Sequence, residues 1–285
     1  MIIVKLWGGI GNQLFQYVFG QYLAYRYHQD VYYDNNSYIS VDKLRKGELD
    51  STSCTVNYDN RCSFSKYRGV KNRILRWAFQ CTPKCHYIQE GASIPTNYKT
   101  EHLYFFQGYW QDYKYYEWVK NNVSDFAIFS NPFPTELKRI RDGIKICGES
   151  ISLHVRRGDY FKPAFIKTFG VCNSRYYEDA LKSITGQFEE VRIFVFTDDP
   201  NWVEENINFG RDYTMIPNYD VSQFAYIELM SLCRHHIISN SSFSWWGAIL
   251  NEQQNAIVIS PDKWLNTTDK TLALDKWTKI HVYNE

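Results

Sequence analysis

Ile151-Ser-Leu-His-Val-Arg-Arg-Gly-Asp-Tyr160 is an apolar, strand-like run that ends in two adjacent arginines, a glycine and an aspartate. Successive side chains of a strand point to opposite faces, so His154 and Arg156 share one face while Val155 and Arg157 take the other. A guanidinium presents a rigid fork of donors that matches phosphate or carboxylate oxygens in pairs, and Gly158 permits a tight turn that brings backbone close to a ligand. These residue types point to the grip of a diphosphate. Arg157 could instead simply pair with Asp159, but two arginines beside a histidine exceed what one ion pair requires.

Two further places carry polar chemistry at the end of an apolar run. In Ile237-Ile-Ser-Asn-Ser-Ser-Phe-Ser-Trp-Trp-Gly247 a strand passes into hydroxyls at a helix start, where unpaired backbone N–H groups and the helix dipole favour an anion. Asn240, Ser241, Ser242 and Ser244 are candidates there, with plain N-capping by serine as the bland account. Gly8-Gly-Ile-Gly-Asn-Gln13 follows the first apolar run, and Asp34 lies near the distance a dinucleotide fingerprint requires, but Leu14 replaces the third glycine. Asn12 and Gln13 still offer amides at a helix start. Asp198-Asp199, closing Phe194-Val-Phe-Thr, reads as a turn before Pro200 in preference to a metal-holding pair.

The elements that must position these groups follow from apolar spacing. Runs at Ile2 to Trp7, Val31 to Asp34, Leu103 to Phe106, Ser150 to Arg156, Val191 to Phe196, His236 to Ser239 and Ala256 to Ile259 read as strands. Helical spacing covers Asn12 to His28, Tyr113 to Val119, Glu136 to Ile146, Ser174 to Ile184, Ser222 to Arg234 and a stretch from Ser241. Strands alternating with helices predict an α/β protein with parallel sheets, and 285 residues suit two Rossmann-like domains, 1–148 and 149–285. Between Ser37 and Glu101 the pattern loosens, and only short helices and loops are expected.

A formal net charge of +1 gives no global field for nucleic acid, so any anion site must be local. No window of about 20 apolar residues predicts a transmembrane helix, and the N-terminus reads as a buried strand with none of the marks of a leader. Seven cysteines, an odd number spread widely, fit free thiols in a reducing compartment better than a disulfide framework. The spacing of Cys81 and Cys85 behind Cys54 and Cys62 misses the usual zinc pattern.

At Gly8-Gly-Ile-Gly-Asn-Gln-Leu-Phe-Gln-Tyr17, Phe106-Gln-Gly-Tyr-Trp-Gln111, His154-Val-Arg-Arg-Gly-Asp-Tyr160, Phe194-Val-Phe-Thr-Asp-Asp199 and Ser239-Asn-Ser-Ser-Phe-Ser-Trp-Trp-Gly247, the chain resembles the bacterial α-1,2-fucosyltransferases of glycosyltransferase family 11. The likeness runs nearly the whole length, with the motifs in order. It implies a GT-B-like fold, two Rossmann-like domains facing a central cleft, the first on the acceptor side and the second holding GDP-fucose. It implies inverting transfer of L-fucose from GDP-β-L-fucose to the 2-hydroxyl of a terminal galactoside, with no metal and no cofactor. By the same likeness Arg156 clamps the β-phosphate, His154 lies along the nucleoside, Arg157 and residues Asn240, Ser241, Ser242 and Ser244 surround the diphosphate, and Glu228 accepts from guanine. Asn12 and Gln13 face the donor sugar or the acceptor, and Asp159 is the candidate base, its competing role being to orient Arg157. A cytoplasmic enzyme is expected, with peripheral attachment to the inner membrane face left open. Other regiochemistry, a nicotinamide oxidoreductase and a non-catalytic carbohydrate-binding protein are the alternatives.

Overall fold

The computed structural model describes residues 1–67, 69–124, 126–158, 168, 170–268 and 271–282. It divides into two compact units, Met1–Asn131 and Pro132–Glu285. The first contains β1 (Ile2–Lys5), α1 (Ile10–Tyr27), β2 (Val31–Asp34), α2 (Asn36–Ser40), α3 (Gly69–Cys81), β3 (Cys85–Gln89), β4 (Leu103–Gln107) and α4 (Tyr113–Asn122). The second contains α5 (Thr135–Lys145), β5 (Ser150–Val155), α6 (Ser174–Thr185), β6 (Arg192–Thr197), α7 (Pro200–Asn206), β7 (Tyr213–Met215), α8 (Gln223–Leu232), β8 (His235–Ile237), α9 (Ser242–Ile249), β9 (Val258–Pro261) and β10 (Thr278–Ile280). The division precedes residue 148 because α5 packs against α8, a helix of the second unit.

In the first unit four parallel strands lie in the order β2-β1-β4-β3. Ile2, Ile3 and Val4 are inaccessible, as a strand covered on both faces requires. Much of the aromatic content becomes core here. Phe19 of α1 stacks on Trp110 at 4.0 Å between centroids and meets Phe106 and Tyr115 edge-on. Helix α3 and strand β3 occupy the stretch expected to be short helices and loops; Leu75 and Phe79 of α3 pack on Phe64 and Phe105.

The second unit has six parallel strands in the order β10-β9-β8-β5-β6-β7. From β5 the chain moves outward through β6 to β7, then returns to the other side of β5 at β8 and continues outward. This is the doubly wound arrangement, whose switch point between β5 and β8 is where such sheets receive ligands. Ile151, Leu153 and Val155 of β5 point into a core shared with Tyr177, Leu181 and Ile184 of α6. Their alternates, Ser152 and His154, face the other way and bond β8 and the residues just after it: Ser152 Oγ is 2.7 Å from His236 Nδ1, and His154 Nδ1 is 2.8 Å from Ser239 Oγ.

Helix α9 is anchored from below. Trp245 and Trp246 are fully buried, Trp245 Nε1 donates to the Leu272 carbonyl at 2.8 Å, and Gly247 lies against α8 so closely that an added Cβ would sit 2.7 Å from Met230 Cβ. Gly247→Ala is therefore expected to cost about 1–3 kcal/mol by pushing α9 off α8. Gly143→Ala in α5, where nothing lies within 4 Å of the new carbon, should raise stability by up to about 1 kcal/mol. Urea unfolding of both variants checks the pair.

Candidate active site

At the switch point of the second unit, β5 ends at Val155 and delivers Arg156, Arg157 and Gly158, while the neighbouring β6 ends at Thr197 and delivers Asp198 and Asp199. The two strands pair in register from Ser150 opposite Arg192 to Val155 opposite Thr197, so the arginines and the aspartates emerge side by side. Arg156 Nη1 lies 2.8 Å from Asp198 Oδ2. The other oxygen of Asp198 accepts the Arg157 backbone N–H at 2.9 Å. Arg157 Nε reaches Asp199 Oδ2 at 3.3 Å, and its guanidinium lies 3.7 Å from the centroid of the Trp202 ring. Asp199 also caps α7, accepting from the Trp202 N–H.

Asp198 and Asp199 form the turn from β6 into α7 that the sequence suggested, and in addition each holds an arginine at the edge of the sheet. Among the described residues no group of three or more His, Cys, Asp or Glu gathers as metal ligands would. Gly158 also serves differently from expected. Its φ is not positive, but a Cβ there would lie 2.8 Å from Asp198 Oδ2, so the missing side chain is what lets that carboxylate stand beside Arg156. Asp159, the candidate base, lies outside the described residues.

His154 is buried and neutral. Burial, helped by the Arg156 charge, drives its pKa down to about 3. It is a hydrogen-bonding group held by Ser239, with Phe243 5.4 Å from its ring, and it adds no positive charge. His236, bonded to Ser152 on one side and 2.6 Å from Asn251 Nδ2 on the other, is likewise held neutral to about 3.

The serine-rich segment follows β8 directly. Ser241 caps α9, accepting from the Phe243 N–H at 3.3 Å, and Ser242 opens the helix. Two candidates require correction. Asn240 is buried and donates to the carbonyls of Gly170 and Trp264 at 2.6 and 3.1 Å. Ser244 is also buried and donates to the Ser241 carbonyl at 3.4 Å. Both side chains hold the protein together, while Ser242 and the N–H groups of the first turn lie at the start of the helix. Glu228 sits half-buried on α8 between the buried Ile227 and Leu229. Five residues beyond the helix start, it lies about 7.5 Å along an axis that runs back from the ligand edge.

Asn12 and Gln13 belong to the first unit, where Trp7, Gly8 and Gly9 leave β1 and Gly108 to Gln111 leave β4. Asn12 is half-exposed, and its Oδ1 accepts from Gln111 Nε2 at 2.8 Å. Gln13 is a correction: it is fully buried, donates to the Gly8 and Lys46 carbonyls and accepts the Glu48 N–H, so its amide is engaged in holding the loop. Asp34 is equally inaccessible, its Oδ1 accepting the Asn36 N–H at 3.0 Å, which removes the carboxylate that a ribose would need in the nicotinamide reading.

A feature missed in the sequence is the stacking of Trp7 on Tyr109, 4.3 Å between centroids with planes 5° apart. Trp110 makes it: this residue adopts a left-handed backbone with φ 55°, a conformation costing a bulky side chain about 1–2 kcal/mol, and its ring is plugged against Phe19 while Tyr109 turns toward Trp7. The run of aromatics after a strand was the available signal.

A doubly wound unit with paired arginines and a helix N-terminus at its switch point, joined to a second parallel α/β unit, has the fold of nucleotide-sugar transferases of the GT-B type. Residues 87–281 match Glycosyl transferase family 11, and the chain belongs to that family. It is 31% identical to an alpha-1,2-colitosyltransferase of Escherichia coli over 98% of this chain and 99% of that protein. It is 28% identical to the O-antigen biosynthesis glycosyltransferase WbnK of Escherichia coli over 96% and 98% of the two chains. The solved structure of fucosyltransferase NodZ from Bradyrhizobium shares the fold with a TM-score of 0.52 at 13% identity, over 87% of this chain and 92% of that one.

The neutral histidines have a measurable consequence. Unfolded, each takes up a proton near pH 6.5; folded, each stays uncharged down to about 3. Below pH 6.5 the unfolded chain binds more protons, so the stability contributed by these groups is complete above that pH and declines as pH falls. Two such groups predict a loss of up to about 2.7 kcal/mol per pH unit between about pH 6.5 and 5. Urea midpoints across that window should show the slope in the native protein and a flattened profile in His154→Asn/His236→Asn.

Proposed function

We propose that the chain transfers L-fucose from GDP-β-L-fucose to the 2-hydroxyl of a terminal galactoside, with inversion to the α-fucoside. The observation that carries this reading is Arg156, presented at the switch point and braced by Asp198. As the bond between the sugar and the β-phosphate breaks, negative charge grows on the departing diphosphate. A braced guanidinium and the N-terminal N–H groups of α9 meet that charge without having to reorganise. His154, uncharged, orients and hydrogen-bonds at the nucleoside side, and Glu228 is the carboxylate assigned to the adjacent donors of guanine.

The acceptor hydroxyl attacks the anomeric carbon from the opposite face through an oxocarbenium-like state and gives up its proton late. Asp159 is assigned as the group that receives it. Asn12, with Gln111, is assigned to sugar hydroxyls in the first unit, which we place on the acceptor side. A glycan of the O-antigen kind is the acceptor class that the name of the WbnK relative supports.

One observation favours a second donor. The full-length relative at 31% identity is a colitosyltransferase, and colitose is the 3-deoxy counterpart of L-fucose. Incubation with each nucleotide-activated sugar and a panel of galactose-terminated disaccharides, with the product linkage read by NMR, decides between them. A product from GDP-fucose alone supports the first reading, and a product from the colitosyl donor alone supports the second.

Arg156→Lys should lower kcat/KM by at least about tenfold, or 1.4 kcal/mol, because an ammonium cannot reproduce the fork that holds Asp198 and phosphate together. Activity close to that of the native protein would remove the clamp. EDTA should leave the rate within about twofold of its starting value, since Asp198 and Asp199 are engaged by arginines; abolition with recovery on adding Mn²⁺ would make those carboxylates metal ligands.

A further inference from the structure

Helix α3 turns one apolar edge inward and a second one out. Leu75 and Phe79 pack against the core of the first unit, while Val70, Ile74 and Trp77 are 69%, 58% and 66% exposed and Cys81 is exposed beside them. At 100° per residue these four positions fall within about 60° of one another, forming a stripe along a helix about 20 Å long. Scattered exposed hydrophobes are ordinary, but a continuous stripe containing a two-thirds exposed tryptophan is not.

The surroundings of the stripe are basic. From Arg61 to Gln89 the sequence has seven lysines and arginines and no aspartate or glutamate, in a chain whose net charge is only +1. Lys71 and Arg73 are exposed on either side of the stripe, and Lys84 is exposed just beyond the helix end. Lys71 also lies over the ring of Tyr67, which is itself 37% exposed. Apolar residues with tryptophan on one line and cations along its borders are the composition of a helix that lies in the plane of a bilayer, with the rings at headgroup depth and the cations on lipid phosphates.

We propose that the outer face of α3 docks the protein on the surface of an anionic phospholipid bilayer. Among the described residues no helix is long and apolar enough to cross a membrane, and the attachment we propose is peripheral. Charge selects this occupant over a second copy of the chain. A two-fold contact through the stripe would gather the bordering cations of both copies in one interface, with no carboxylate in the segment to relieve them. The inference goes beyond the donor site, none of whose residues lies on α3.

Co-sedimentation of the full chain with vesicles tests it. With about 30% phosphatidylglycerol in phosphatidylcholine at low ionic strength the protein should pellet; with phosphatidylcholine alone, or in about 0.5 M salt, it should stay largely in solution. Ile74→Ser/Trp77→Ser and, separately, Lys71→Glu/Arg73→Glu should each lower partitioning at least about tenfold, with thermal unfolding midpoints confirming that both variants fold. Failure of the native protein to bind the anionic vesicles, or unchanged binding by the serine variant, overturns the proposal. So does a concentration-dependent dimer in ultracentrifugation, lost in the serine variant and unaccompanied by lipid binding, which would assign the stripe to a second copy.

Discussion

An arginine at the end of a buried strand has to be held if it is to stay extended and aimed, and here adjacent strands do that for each other. Arg156 and Arg157 leave β5, Asp198 and Asp199 leave β6, and parallel pairing in register sets them side by side. Exposed ion pairs contribute little to stability. The value of these pairs lies in geometry: one carboxylate fixes both a guanidinium and the backbone that follows it, and Trp202 supports the second guanidinium from its face. Gly158 belongs to the same device, because a Cβ there would come within 2.8 Å of the carboxylate and oblige it to shift.

The other elements serve this edge. The alternation of β5 sends Leu153 and Val155 into the core and His154 toward Ser239, so a single strand both anchors the sheet and ties its switch point shut. Helix α9 is aimed by its own buried tryptophans, and the amide of Asn240 locks the preceding loop to two carbonyls. In the first unit a comparable economy appears at the ends of β1 and β4. Gln13 and Gln16 bond loop backbone from within α1, and the left-handed Trp110 orients Tyr109 onto Trp7.

The strands flanking the site were legible because apolar runs of that length have few other homes, and the arginine-bearing strand end stood out for the same reason. What long-range register decides was not. Asp198 and Asp199 read as a turn or a metal pair until β6 lay beside β5, since only that pairing shows which cations they meet. Asn240, Ser244 and Gln13 looked like ligand contacts because a buried amide or hydroxyl and an exposed one have identical spelling. Helix α3 was hidden by its two apolar edges, Leu75 and Phe79 on one and Val70, Ile74 and Trp77 on the other, which blur the single-sided periodicity of an ordinary surface helix. Helix α7 was obscured by Pro200, which breaks an interior turn but suits the first position of a helix. The expected strand boundaries elsewhere were close, because β-branched runs bounded by polar residues leave little choice.

The histidine of the central motif carries a final implication. An imidazole that stays uncharged throughout the range in which cells live cannot serve as a proton-dependent latch on a phosphate. The positive potential at this edge comes from guanidinium groups and an oriented helix. Mild acidity would thus act first on the buried scaffold that displays these groups.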